Sequence, residues 1–170
     1  MERRNVQIMV ETAVLVGAAL VLSMIRLWRL PQGGSIGIDM LPIFVLAFRR
    51  GGRVGILGGA LFGVLKLMTD PFIMHPVQVL LDYPIPFAAL GVAGYFRDNM
   101  TVGVAVGALL RYLAHIISGV VFFAEYAPEG TSALIYSVVY NGTFLIPETI
   151  LVGVILFVIR ARKDIFEPAQ

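Results

Sequence analysis

Long apolar runs separated by short polar connections dominate this chain. Six such segments can be drawn, at 6–25, 36–48, 54–68, 76–96, 101–124 and 133–160. A straight helix needs about 20 apolar residues to cross the hydrocarbon core of a bilayer. The second and third segments fall short of that length, so we expect at least one of them to tilt, to extend into its flanks or to stay partly buried in protein. The pattern predicts an all-α integral membrane protein, a single domain over residues 1–170 with six transmembrane helices.

Composition supports the membrane assignment and excludes other classes. The chain is 58% hydrophobic and only 14% charged, whereas soluble domains carry about 25% charged residues. The formal net charge of +2 is too small to indicate a nucleic-acid partner, because binding to phosphates needs a concentrated basic surface. There is no cysteine, which excludes disulfides and thiolate metal sites.

The basic residues predict the orientation of the helices. With both termini inside, nine arginines and lysines fall on the inner side: Arg3, Arg4, Arg49, Arg50, Arg53, Arg97, Arg160, Arg162 and Lys163. The outer connections at 26–35, 69–75 and 125–132 hold only Arg26 and Arg29. Because cytoplasmic loops are enriched in Lys and Arg, the count predicts an N-in, C-in topology.

Isolated polar residues interrupt the fifth segment. Arg111, His115 and Gly119 follow one another at intervals of four, and Phe122 falls along the same side with Phe123 next to it, so this helix face carries either phenylalanine as its aromatic wall. Ionisable groups at membrane depth usually face a cavity or a partner. This face therefore predicts a binding site with a charge, an imidazole, an open floor at the glycine and an aromatic wall. The alternative is that His115 bonds to a neighbouring carbonyl while Arg111 reaches the membrane interface.

The fourth segment carries a second set of polar residues next to a predicted helix break. Gln78 and Asp82 lie one turn apart, and Pro84 and Pro86 follow. Since proline has no N–H to donate, the helix is predicted to kink there. A carboxylate beside the kink is suited to a cation or an amino group. The alternative for Asp82 is an ion pair with Arg111 and no ligand.

The sixth segment adds Tyr136 and Asn141. An asparagine amide both donates and accepts, which suits the edge of a heteroaromatic ring. The alternative is an ordinary hydrogen bond between helices. Glu148, two turns further on, is predicted to be a buried structural carboxylate or a conduit for partner signals and is left outside the site.

Small residues recur at intervals of four, at Gly51, Gly55, Gly59 and Gly63 and again at Ala13 and Gly17. Such positions form smooth ridges for close helix packing. Each ridge predicts either packing inside the bundle or docking to a separate membrane subunit.

No catalytic motif is present. The sequence contains no serine nucleophile elbow, no HExxH and no phosphate-binding P-loop. We therefore predict a non-enzyme without cofactor or metal, which depends on a partner for any ATP hydrolysis. Two alternatives stay open: an integral membrane enzyme that uses His115 with Asp82 as an acid/base pair, and a purely structural subunit.

Several short stretches together resemble the thiamine-specific substrate-binding (S) component of energy-coupling factor transporters. They lie at 31–36, 40–44, 49–51, 78–84, 115–119, 126–130 and 136–142. The resemblance implies a multi-pass protein of a prokaryotic plasma membrane that binds thiamine on the outer side. It also implies association with a transmembrane coupling protein and two cytosolic ATPase subunits. An S component for another vitamin, or for a thiamine precursor, is the alternative.

The resemblance also implies residue roles. The ligand-contacting positions of the family fall on Asp82, Tyr83, Arg111, His115, Gly119, Tyr136 and Asn141, and a stacking aromatic position falls on Phe123. Its docking motif for the coupling protein falls on Ala13 and Gly17. The chain departs from the family pattern in four ways: Phe123 stands for a tryptophan, Phe72 for a tyrosine and Asp82 for a glutamate, and a tryptophan of the first outer loop has no match near Gly33–Ser35.

Overall fold

A computed structural model describes residues 3–30 and 34–166, and this part of the chain is mostly helical. It contains eight α-helices, α1 Arg3–Ser23, α2 Met40–Arg50, α3 Gly52–Thr69, α4 Pro76–Asp82, α5 Pro84–Leu90, α6 Met100–Phe122, α7 Ala133–Ile159 and α8 Lys163–Phe166. Two short 3-10 helices, Gly91–Tyr95 and Ala124–Tyr126, continue α5 and α6. Two strands of two residues each, β1 Trp28–Arg29 and β2 Ser35–Ile36, pair antiparallel between α1 and α2.

Five helical stretches in the described residues are long and apolar enough to cross a membrane. They are Arg3–Ser23, Gly52–Thr69, Pro76–Tyr95, Met100–Phe122 and Ala133–Ile159. The second predicted segment becomes α2, whose 11 residues extend over about 16 Å at about 1.5 Å per residue. Met40, Ile43 and Phe44 of α2 are fully buried. The structure therefore agrees with the expectation that one short segment stays buried in protein.

The predicted kink is confirmed at Tyr83. Helix α4 ends at Asp82 and α5 begins at Pro84, while Tyr83 between them has φ −120° and ψ −82°. Proline at the start of α5 has no N–H with which to continue the α4 hydrogen bonds. The break places the Asp82 side chain and the buried Tyr83 ring next to each other at the same level of the bundle.

The glycine ridge of α3 packs inside the bundle, which is one of the two alternatives that the sequence predicted; the other was docking to a separate membrane subunit. A Cβ at Gly59 would meet the carbonyl oxygen of Phe87, and a Cβ at Gly63 would meet that of Tyr83. The backbone of α3 therefore lies directly against α5 and the break at Tyr83 that precedes it. Gly51 does not belong to this ridge, because it forms the turn between α2 and α3 with φ +95°. That turn requires a left-handed conformation, which glycine adopts without steric penalty.

Helix α1 is held mainly by one side. Val16 and Ala19 are buried against the core, whereas Met9, Val10 and Val14 are exposed. Since α1 is one of the apolar spans, its exposed face is turned to lipid or to another membrane protein.

Candidate functional site

A cavity of about 120 Å³ lies at the end of the bundle that carries the connections 24–39, 70–75 and 123–132. All eight residues predicted to bind a ligand line this cavity: Asp82, Tyr83, Arg111, His115, Gly119, Phe123, Tyr136 and Asn141. Sequence reasoning did not include several other lining residues, among them Lys66, Asp70, Phe87, Tyr140 and Phe144. The break at Tyr83 and the start of α7 bring residues that are distant in sequence to this common hollow.

The Asp82 carboxylate lies between α4 and α6. Its Oδ1 is 3.3 Å from Nδ1 of His115, and its Oδ2 accepts a hydrogen bond of 2.7 Å from Nε2 of Gln78. Asp82 therefore does not pair with Arg111, and that alternative is wrong. The other ring nitrogen of His115, Nε2, is buried and has no hydrogen-bond partner among the described residues. His115 thus offers one ring nitrogen to a ligand while the other faces a carboxylate.

Arg111 is buried with Glu148 instead of reaching the membrane interface. The two side chains are 5% and 2% exposed, and Arg111 Nη2 lies 3.4 Å from Glu148 Oε2. The guanidinium carbon of Arg111 lies 4.5 Å from the centre of the Phe87 ring. Glu148 does not line the cavity, so its assignment as a buried carboxylate outside the site agrees with the structure. Nε and Nη1 of Arg111 have no hydrogen-bond partner in the described chain.

A second, partly buried ion pair joins Lys66 of α3 to Asp39, the residue before α2. Asp39 is 2% exposed, and the Lys66 ammonium lies 5.0 Å from the centre of the Phe87 ring. Lys66 lines the cavity, but the sequence analysis did not assign it to the site. An isolated lysine within an apolar segment was the available signal; its partner lies 27 residues away and could not be identified from spacing.

Asn141 joins the two long helices that form one side of the cavity. Its Nδ2 donates to the backbone oxygen of Ser137 at 2.9 Å and to that of His115 at 3.4 Å. The hydrogen bond between helices that was considered for this residue is thus present, although Asn141 also lines the cavity. The floor at Gly119 is less open than predicted, because a Cβ there would meet the Ser137 hydroxyl.

Aromatic rings form the walls of the cavity. Phe72 and Phe123 stack with their centres 5.9 Å apart, and Tyr136 and Tyr140 do so at 5.7 Å. The Tyr83 hydroxyl accepts from the backbone N–H of Phe72 at 2.8 Å and donates to a backbone carbonyl at 2.9 Å. The Tyr83 hydroxyl therefore anchors the 70–75 connection by hydrogen bonds, and the Tyr83 ring contributes to the cavity wall.

The connection between α1 and α2 lines one side of the cavity mouth. Gly34 and Ser35 are lining residues, and Arg26 donates to Asp70 at 2.6 Å, which ties this connection to the 70–75 segment. The two short strands here were not predicted. Residues 31–33 of the 31–36 motif lie outside the described residues.

Ala13 and Gly17, the predicted docking residues, lie on the exposed face of α1. A Cβ at Gly17 would meet nothing within 4 Å. In the described residues, no group of three or more His, Asp or Glu side chains is placed to hold a metal ion.

Five apolar spans, four of which line a cavity with polar groups and aromatic walls, define a multi-pass membrane protein with a site for a small molecule. The family model described as "Thiamine transporter protein" matches residues 9–167. The chain belongs to this family, and it is a transporter of the cell membrane rather than an enzyme. The enzymatic alternative built on His115 and Asp82 is therefore wrong.

Individual relatives agree over nearly the whole chain. The "Thiamine transporter ThiT" of Bacillus subtilis is 40% identical over 87% of this chain and 87% of its own length. The protein of the same name from Lacticaseibacillus paracasei is 30% identical over 92% and 90%. A solved structure of ThiT from Listeria monocytogenes superposes with a TM-score of 0.88 at 27% identity, covering 98% of this chain and 100% of that one.

Proposed function

We propose that this chain captures thiamine on the outer side of the membrane, in the cavity bounded by Asp82, His115 and Asn141. The observation that carries the proposal is that these three residues, from α4, α6 and α7, line one hollow. Membership of the thiamine transporter family supports the choice of ligand.

The chemistry of the cavity suits both halves of thiamine, an aminopyrimidine joined to a cationic thiazolium. Asp82 balances the positive charge or accepts from the amino group. Aromatic faces such as Phe123 and Tyr136 stabilise a cation by about 0.5–2 kcal/mol each. The unpartnered Nε2 of His115 is available to a pyrimidine nitrogen or to the amino group, according to its protonation. A ligand that left these buried groups unpaired would lose about 1–3 kcal/mol for each of them, which provides discrimination.

The membrane arrangement that we propose is a single domain with six transmembrane segments and both termini inside. Five of the segments are the long apolar spans, and the short α2 is the sixth. This orientation is supported by the count of basic residues, nine on the inner side against two in the outer connections. In this orientation the cavity mouth, next to residues 34–39 and the connections 70–75 and 123–132, opens to the exterior.

We further propose that the chain acts as the S component of an energy-coupling factor transporter, with a membrane coupling protein and two cytosolic ATPases as partners. The sequence has no nucleotide-binding motif of its own, so a partner must hydrolyse ATP. The exposed face of α1 around Ala13 and Gly17 is the docking surface that we assign to the coupling protein.

Titration of thiamine into the purified protein tests the ligand assignment. Asp82→Asn and His115→Ala should each weaken binding by more than about tenfold, because each removes one charged or polar partner worth about 1.5–3 kcal/mol. Asp98→Asn is the matched control, since Asp98 is exposed and lies outside the cavity. No binding by the wild-type protein at micromolar thiamine would refute the substrate. Unchanged affinity in both variants would remove the two residue assignments.

Competition with pyrimidine and thiazole fragments separates thiamine from its precursors. If the complete vitamin is the ligand, both fragments should compete more weakly than thiamine. A fragment that binds as tightly as thiamine would favour a precursor S component instead.

Co-purification with the coupling protein tests the docking surface. Gly17→Leu should reduce complex formation without changing the affinity for thiamine, because no atom of the described residues lies within 4 Å of a Cβ at this position. Gly153→Leu on α7 is the matched control, as a Cβ there also meets nothing within 4 Å. Equal complex formation by both variants would rule out this face of α1.

A further inference from the structure

The side chain of Gln78 connects the Asp82 carboxylate to the outer wall of the cavity. It is fully buried and lies one turn before Asp82 on α4. Its Nε2 donates to Asp82 Oδ2 at 2.7 Å and to the backbone oxygen of Phe72 at 3.1 Å. Its Oε1 accepts from the backbone N–H of Met74 at 3.0 Å. The amide thus has a partner for both of its N–H groups and for its oxygen.

These partners determine the orientation of the amide. If the amide were rotated by 180°, its oxygen would face the Asp82 carboxylate and the Phe72 carbonyl, and an N–H would face the N–H of Met74. Acceptors would then meet acceptors and a donor would meet a donor. Gln78 is therefore held as a donor to Asp82.

The consequence for Asp82 is a fixed carboxylate plane. With Oδ2 bound to Gln78, the other oxygen, Oδ1, is directed at Nδ1 of His115 on α6 at 3.3 Å. The carboxylate keeps 18% of its side chain exposed, so it still reaches the cavity. Loss of the Gln78 hydrogen bond would free the carboxylate to rotate away from His115.

The same amide also holds the aromatic wall. Phe72 and Met74, its backbone partners, belong to the 70–75 connection, and the Phe72 ring stacks on Phe123. Tyr83 binds this connection from a second direction through its hydroxyl. A single side chain therefore links the position of the charged group to the position of the aromatic wall.

We propose that Gln78 is a positioning residue of the binding site, which aims the Asp82 carboxylate and fixes the Phe72 wall. The identity of the ligand in this inference rests on the proposed function, whereas the placement of Asp82 against His115 does not.

The placement can be tested without a ligand by nitrogen-15 spectroscopy of the histidine rings. Gln78→Met removes all three hydrogen bonds and keeps an unbranched side chain of similar length. The chain has only two histidines, so a His75→Asn variant assigns the signals. We expect Gln78→Met to shift the ring signals of His115 and Gln7→Met, on the exposed side of α1, to leave them unchanged. Unshifted His115 signals in the folded Gln78→Met protein would overturn the proposal.

A second variant serves if Gln78→Met does not fold. Gln78→Glu keeps an acceptor for the Met74 N–H, removes both amide N–H groups and places a second carboxyl group against Asp82, so that the two carboxyl groups share one proton and the charge facing His115 changes. The His115 signals should shift here as well. Signals identical to those of the wild-type protein would overturn the proposal equally.

Thiamine titration of a double-mutant cycle then tests the effect on binding. Gln78→Met should weaken binding about tenfold in the wild-type background and less than about threefold in the Asp82→Asn background, because only its effect on the Phe72 wall remains there. Equal losses in both backgrounds would overturn the role of Gln78 in aiming the Asp82 carboxylate. If the wild-type protein binds no thiamine, the proposed function fails, and the His115 signals still decide the role of Gln78.

Discussion

Four ionisable side chains form two ion pairs beside the cavity; Asp39, Arg111 and Glu148 are buried and Lys66 is partly buried. Lys66 and Arg111 line the cavity, and Asp39 and Glu148 lie behind them. Unpaired charges at this depth would be strongly unfavourable, because the surroundings cannot replace their hydration. The acidic partners therefore neutralise the two cationic side chains that line the cavity, and so stabilise them within a bundle of apolar helices.

Removing one partner of the Arg111–Glu148 pair should destabilise the protein. Glu148→Gln leaves the Arg111 charge buried without its counter-charge, so we expect a loss of about 3–5 kcal/mol in the free energy of unfolding. Denaturant unfolding in detergent measures it. Asp164→Asn is the control, since it breaks the exposed pair with Arg162 and should have no measurable effect. A similar stability for the two variants would contradict the importance of the buried pair.

At this scale the sequence identified the types of residue but not their partners. Spacing on one helix placed Arg111 and His115 on a common face, and the same reasoning joined Gln78 to Asp82. Whether Arg111 pairs with Asp82 or with Glu148 depends on how α6 is rotated against α4 and α7. One sequence carries no signal for that rotation. Lys66 was missed for the same reason.

Two helices with small residues at intervals of four use them differently. On α3, Gly59 and Gly63 lie against the backbone around the α4–α5 break. On α1, Gly17 faces outward with nothing within 4 Å of a Cβ. The same pattern therefore produces an internal contact in one helix and an open surface in the other.

Alanine substitutions should separate these two uses. Gly59→Ala should lower the stability by about 1–3 kcal/mol, because its Cβ would overlap the Phe87 carbonyl. Gly17→Ala should be neutral or stabilising by up to about 1 kcal/mol, since alanine favours helix more than glycine does. Thermal unfolding in detergent provides the comparison. If Gly17→Ala lowered the stability as much as Gly59→Ala, Gly17 would have to lie in a packed contact rather than on an open surface of α1.

Local chemistry predicted some element boundaries and not others. The break before Pro84 follows from the missing N–H of proline, and the structure has it there. The two short strands depend on hydrogen bonds between separated residues, such as Leu27 N–H to the Ile36 carbonyl at 2.9 Å. No apolar alternation marks them in the sequence. The turn at Gly51 was likewise hidden within a regular glycine repeat.

At the scale of the whole molecule, the cavity lies at one end of the bundle and most of the basic residues lie at the other. Arg49 and Arg50, at the end of α2, both bind Glu11 in the first half of α1, which ties α2 to α1. The charge asymmetry that predicts orientation therefore also separates a ligand-facing end from a basic end. Hydropathy and the count of basic residues predicted which connections lie at each end, but they could not show that α2 would be only 11 residues long.

Cysteine labelling tests the orientation, and the natural absence of cysteine makes the background clean. Glu129→Cys, in the last outer connection, should react with a membrane-impermeant maleimide in intact cells. Arg162→Cys should react only after the membrane is permeabilised. Both positions are exposed, so accessibility within the protein does not differ between them. The reverse pattern of labelling would contradict the N-in, C-in arrangement.

The structure of the purified protein crystallised with saturating thiamine tests the central claim most directly. The account predicts density for thiamine between Asp82, His115 and Asn141, bounded by the Phe123 and Tyr136 rings. Thiamine bound elsewhere on the molecule, or a cavity without thiamine at saturating concentration, would contradict it.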